Sequence, residues 1–259
     1  ARTGMYAMDG TPLPAIDIMP MGTESATVHA NYQLYVDNRI GKFAHGQCPG
    51  EMAPDNVVDW RHGRPPNWDH APFSSASGAL WYGQGQVLDV RNDEERYIPA
   101  LSWVAEKISK VADGKGYDAT ITGKKRGSCE GVLGIDHNVW GQFSEADELA
   151  YNGINNLRII ETSAASTGRE GAVLWGNWTC HLGDDAFKDM SVMRLLKWYE
   201  LLLMPIMLDW IYDSNHPVTW REIERILDPF FRRELDRGAV YGYFLDCDSK
   251  AYFSGGELK

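Results

Sequence analysis

The stretch SVMRLLKWYELLLMPIMLDWIY, residues 191–212, constrains this chain more than any other, because it is apolar on nearly every side of a helix. A helix without a polar face must be covered on several sides, so the stretch predicts a buried helix, bent near Pro205, inside a layered domain. The next segment has the opposite character. TWREIERILDPFFRRELDRG (219–238) opens with a capping box, Thr219 with Glu222. It places Ile223, Ile226, Leu227, Phe230, Phe231 and Leu235 in one apolar stripe. Pro229 is expected to bend this second helix and Gly238 to end it. AVYGYFLDCD (239–248) then returns as a strand with one buried face. Trp198, Leu202, Trp210, Ile226 and Phe230 are expected in a core between the two helices and a sheet.

Upstream, ATVHANYQLYV (26–36) and ALWYGQGQVLDV (79–90) read as strands. VDWRHGRPPNWDHAPFSSASG (58–78) reads as a long structured loop, stiffened by Pro65, Pro66 and Pro72 and pinned by Trp60, Trp68 and Phe73. ALSWVAEKISKVAD (100–113) carries Leu101, Val104, Ile108 and Val111 at helical spacing. Residues 114–140 suggest two or three strands with glycine turns. SEADELAYNGI (144–154) suggests a short helix capped by Ser144 and stopped at Gly153, and NLRIIET (156–162) and GAVLWGNWTC (171–180) suggest strands joined by a polar loop. The fold class expected is α+β, a mixed sheet packed with two long C-terminal helices. Residues 1–143 and 144–259 are expected as two parts that share one continuous core.

With 44% hydrophobic and 24% charged residues in 259, the chain can bury a sizeable core. Its net charge of -11 speaks against a general nucleic-acid binder. The longest apolar run is broken by Pro205 and Asp209, so no membrane span is expected. Cys48, Cys129, Cys180 and Cys247 show no ligand-like spacing and are expected as reduced thiols. The start at Ala1 and the end in SGGELK suggest part of a longer protein.

Chemistry is sparse. Cys180, His181, Asp184 and Asp185 lie close together and could serve a metal-dependent hydrolase, but no histidines pair as HxxxH or HExxH. The plainer reading is a loop whose aspartates cap the helix beginning near Ser191. Asp246 and Asp248 share a strand face without an identifiable acid–base partner. SSASG (74–78) lacks the first glycine of a nucleophile elbow, and GYDATITGKKRGS (116–128) lacks the GKS or GKT ending of a phosphate loop. Ten tryptophans could line a carbohydrate-binding surface, though most fall at core spacing. No enzyme and no cofactor is expected. Arg221, Arg225 and Arg232 do share one helix face, and five arginines without a lysine suit a docking surface for carboxylates.

In order, SVMRLL (191–196), DSNHPVTW (213–220), FFRREL (230–235) and GAVYGYFLDCD (238–248) resemble the C-terminal region of tail sheath proteins of contractile bacteriophages and related injection machines. AYNGINNLRII (150–160), REGAVLWGNWT (169–179) and GRPPNWDHAPFSSASG (63–78) are similar to further elements of that family. The chain departs from the family pattern at Ser191 and Met193 and in an insert around 91–143. The resemblance implies a structural subunit of the virion tail, assembled in the host cytoplasm. Its partners would be other copies of itself in hexameric rings joined by terminal arms, a tail tube protein and a baseplate. It also implies that Arg221, Arg225 and Arg232 face the tube.

Overall fold

The computed structural model describes residues 17–18, 36–114, 116–139, 142–160, 171–247, 253–254 and 257–258. Two units follow one another, Ala1–Leu201 and Leu202–Lys259. The first holds a six-stranded mixed sheet in the order β1-β2-β3-β8-β9-β6. Its strands are β1 (Asp17–Ile18), β2 (Phe43–Gln47), β3 (Gly78–Tyr82), β6 (Ser128–Cys129), β8 (Ile154–Ile160) and β9 (Gly171–Trp175). β1, β2, β3 and β8 run parallel, while β9 and β6 are antiparallel to their neighbours. A smaller sheet, β5-β4-β7, joins β4 (Gln84–Asp89), β5 (Glu94–Pro99) and β7 (Gly134–Ile135). The strands thus come from both sides of residue 144. The architecture is α+β, as expected.

Period-two alternation decides what each face of the large sheet meets. Along β3, Ala79 and Trp81 join one apolar cluster, while Leu80 and Tyr82 join another. All five β3 residues are buried, which is why the strand reads as continuously apolar. On one face lie Trp103, Val104 and Ile108 of α2 (Leu101–Gly114) and Met190 and Met193 of α4 (Met190–Leu208). On the other lie Val57, Val58 and Trp60 of α1 (Pro54–His62) and Leu149 of α3 (Phe143–Tyr151). The single strand expected at 79–90 is two strands, because Gly83 takes φ +95 and turns the chain from one sheet into the other.

Several local expectations need correction. The loop expected from residue 58 starts only after α1, whose Pro54 sits at the first turn and whose Gly63 closes it in the left-handed region. Trp60 and Phe73 are buried as expected and their rings lie 4.9 Å apart. Helix α3 is preceded by Gln142 rather than capped by Ser144, and Gly153 follows it with φ +63. The strand expected at 26–36 falls outside the described residues, apart from Val36. So does the loop 161–170.

The apolar helix is longer than its buried part. Met193, Leu195 and Tyr199 of α4 are buried and Trp198 packs against the core, but Val192, Leu196, Met204, Met207 and Leu208 are exposed. Leu202 and Trp210 are half-buried, and Ile226 is 38% exposed. Periodicity alone could not show this, because a largely apolar helix is equally well covered by its own chain or by an assembly. Helix α5 (Pro217–Asp236) starts earlier than the proposed capping box. His216 is its N-cap and accepts from the Val218 N–H, while the Thr219 hydroxyl donates to the Ser214 carbonyl. Both long helices continue past their internal prolines, Pro205 and Pro229.

Candidate functional site

Helix α5 carries the arginine face. Leu227 and Glu234 are its buried residues, and Ile223 is half-buried beside them. At about 100° per residue, Arg221, Arg225 and Arg232 fall within about 40° of one another and on the side opposite Leu227. All three are exposed. Arg232 pairs with Asp228 at 2.8 Å, one turn earlier, and its side chain stays 70% exposed. Arg233 lies over the Phe230 ring instead, and Arg237 bonds the buried Glu234 carboxylate at 2.6 Å, so these two serve the helix itself. The stripe thus consists of the three residues expected, with Asp228 set into it.

After Gly238 the expected strand does not form. Residues 240–247 make no ladder among the described residues; they lie back along α5. The Ala239 N–H donates to the Glu234 carbonyl, the Tyr243 hydroxyl donates to Asp228, and the Tyr243 ring stacks on Phe231. A strand needs a neighbour for its backbone groups, and side-chain alternation cannot supply one. Tyr241 and Phe244 are left exposed, Cys247 is half-buried, and Asp248 lies outside the described residues.

The loop 180–187 does not assemble a metal site. Cys180 is buried, and burial pushes its thiol up to about 11. Its carbonyl accepts from the guanidinium of the fully buried Arg61 at 2.7 Å. His181 bonds Asp185 at 3.1 Å, and Asp185 caps a single 3-10 turn through the Phe187 N–H. Asp184 is exposed. No group of three or more such side chains could hold a metal ion among the described residues. The helix cap expected from these aspartates comes instead from Asp189, which accepts from the Val192 N–H at 3.0 Å.

The sequence motifs around Gly153 and Gly176 have a structural role. The Asn155 side chain is fully buried. Its amide donates to the Leu80 and Trp178 carbonyls at 3.1 and 2.8 Å and its oxygen accepts from the Trp178 N–H at 2.8 Å. It thereby ties β3 and β8 to the chain after β9. A Cβ on Gly176 would lie 2.6 Å from the Asn155 oxygen, and one on Gly153 would lie 2.4 Å from the Thr179 carbonyl oxygen.

One charged cluster escaped the sequence reading. Arg194 of α4 grips the Asp17 carboxylate with two bonds of 3.0 and 3.1 Å, and both side chains are buried. His45 of β2 lies 2.9 Å from the same carboxylate. The Trp81 indole N–H donates to His45 Nδ1 at 3.2 Å, so the ring proton sits on Nε2 and is donated to Asp17. Burial would raise the Asp17 carboxyl, but Arg194 and His45 together hold it well below the carboxylate range. Burial also lowers His45, against the pull of Asp17, and keeps it neutral. An arginine inside an apolar helix was the only available signal.

No family model and no curated protein matches the sequence. Solved structures do match the fold. The sheath complex of an extracellular contractile injection system, PVC, in its contracted state superposes with a TM-score of 0.65 at 16% identity, covering 84% of this chain and 55% of that one. The anti-feeding prophage helical sheath in the contracted state gives 0.58 at 20%, covering 79% and 49%. A chain of the six-fold symmetrised anti-feeding prophage baseplate gives 0.61 at 20%, covering 83% and 51%. This chain therefore spans about half the length of the chains it matches. At these identities the likeness is one of fold, shared over about four-fifths of this chain with these two contracted sheaths.

Proposed function

We propose that this chain is a structural, non-catalytic part of a contractile tail sheath, one of many copies stacked in six-membered rings around a tube and joined to a baseplate. The observation that carries this reading is the backbone likeness to two contracted sheaths over about four-fifths of the chain. The exposed apolar side chains of α4 support it, since a largely apolar helix that is partly uncovered in one copy suits burial between copies. Copies meeting through unlike surfaces build helical stacks, and contraction needs two sets of such contacts of different free energy. No nucleotide chemistry enters. The sheath would be assembled in the host cytoplasm and work in the tail.

The same proposal gives Arg221, Arg225 and Arg232 to the tube. Guanidinium groups facing outward suit acidic groups on a partner, and each exposed pair contributes only about 0–1 kcal/mol. Repetition along a filament turns weak contacts into a fixed register, which salt should loosen. Replacing all three by glutamate in the intact protein should leave far-UV circular dichroism unchanged and abolish extended sheaths on tubes in electron micrographs. Normal yields of extended, contractile tails from that variant would remove the tube role and leave a solvated helix face.

A further inference from the structure

We propose that His45, Asp17 and Arg194 form an acid-sensitive latch that holds strand β1 on the large sheet. Among the described residues β1 pairs with β2, Asp17 opposite Phe43 and Ile18 opposite Ala44, and stands first in the strand order. The buried Asp17 side chain ties this strand to His45 of β2 and Arg194 of α4. Among the described residues the charged groups facing His45 are Asp17 from β1 and Arg194 from α4. The rings beside it are Phe43 on its own strand and Trp81 on β3. Arg194 also lies over the Tyr117 ring, which closes the cluster from the segment after α2.

With His45 neutral, one cation meets one anion and every hydrogen bond of the ring is made. A proton can enter only at Nδ1, where the Trp81 indole already donates. Protonation therefore breaks that bond, sets two N–H groups against each other and leaves a net positive charge in the core. Release of β1 takes Asp17 into water and lets water reach His45, which then titrates near its ordinary value. The released state therefore binds one more proton than the closed state as the pH falls below about 6.5. Below about 4 the freed Asp17 takes a second proton, because only the closed cluster depresses its carboxyl. Acid opens the latch in both steps.

Hydrogen exchange of the β2 amides on the β1 side tests this, once corrected for the pH dependence of intrinsic exchange; the Ala44 N–H, which donates to the Ser77 carbonyl on the β3 side, is the internal control. Opening should rise about tenfold per pH unit below about pH 6, while peptides covering β8 and β9 stay protected. His45→Gln keeps one donor and one acceptor but does not titrate. Its β2 exchange should stay flat down to about pH 4 and rise only below it. If that variant does not fold, the ring 15N shifts of His45 in the native protein decide. They should show the Nε2–H tautomer at neutral pH and protonation coincident with β2 opening. The proposal is overturned by the same opening pH in His45→Gln as in the native chain, by simultaneous loss of β8 protection, or by His45 protonation without β2 opening.

Discussion

Replacing Asn155 by aspartate is the most informative single change in the sheet. The amide donates twice and accepts once with no exposure to water, so a carboxylate there keeps the bond from the Trp178 N–H and faces two carbonyl oxygens with no proton to offer. A fully buried carboxyl that faces two carbonyl oxygens shifts upward by up to about 3–5 pKa units, at about 1.4 kcal/mol each. Asn155→Asp should therefore cost about 4–6 kcal/mol at pH 7. Asn155→Ala removes all three bonds but buries no charge, and should cost about 2–4 kcal/mol. The sign with pH follows from the raised pKa. The penalty is full above the folded-state value and shrinks as the pH falls through it, because the protonated acid is neutral and can donate once. Urea unfolding followed by circular dichroism, with each variant compared with the native chain at pH 8 and pH 5, measures both effects. An aspartate variant no worse than the alanine variant, or equally impaired at both pH values, would refute the role given to this amide.

Three further changes probe the packing. Gly153→Ala combines φ +63 with a Cβ 2.4 Å from a backbone oxygen, and should cost about 2–3 kcal/mol in the same unfolding assay. Trp198→Ala removes a ring stacked 4.9 Å from Tyr117 and should cost about 3 kcal/mol; Ile226→Ala, at an exposed position, should cost less than about 1 kcal/mol. Alkylation of the native protein should modify Cys247 first, because Cys48, Cys129 and Cys180 are buried and burial pushes Cys129 up to about 12; rapid labelling of Cys129 would contradict the core as described.

Much of the fold was legible because its signals are local. Leu101, Val104, Ile108 and Val111 repeat at helical spacing and are all buried in α2. The Pro54 and Gly63 boundaries of α1 were equally local, yet the prolines at 65, 66 and 72 drew attention to a loop and hid the helix. What stayed illegible depends on partners distant in sequence. Asp17 and Arg194 are separated by 177 positions, and nothing near either residue names the other. The segment after Gly238 alternates like a strand, but a strand is defined by a neighbour, and Tyr243 finds helix α5 instead. The acidic loop looked like ligands because Cys180, His181, Asp184 and Asp185 are close in sequence. The fold turns Cys180 inward and uses Asp185 to cap a turn. The arginine stripe needed only helical period, and the three side chains do share an exposed face.

A cryo-electron-microscopy reconstruction of the tail-like particles made by the intact protein tests the sheath assignment most directly. This fold should dock into the outer layer as six copies per ring, with the arginine face of α5 toward the tube. Particles whose outer layer is built without this chain, or a protein that forms no helical stack with its tube present, would contradict it.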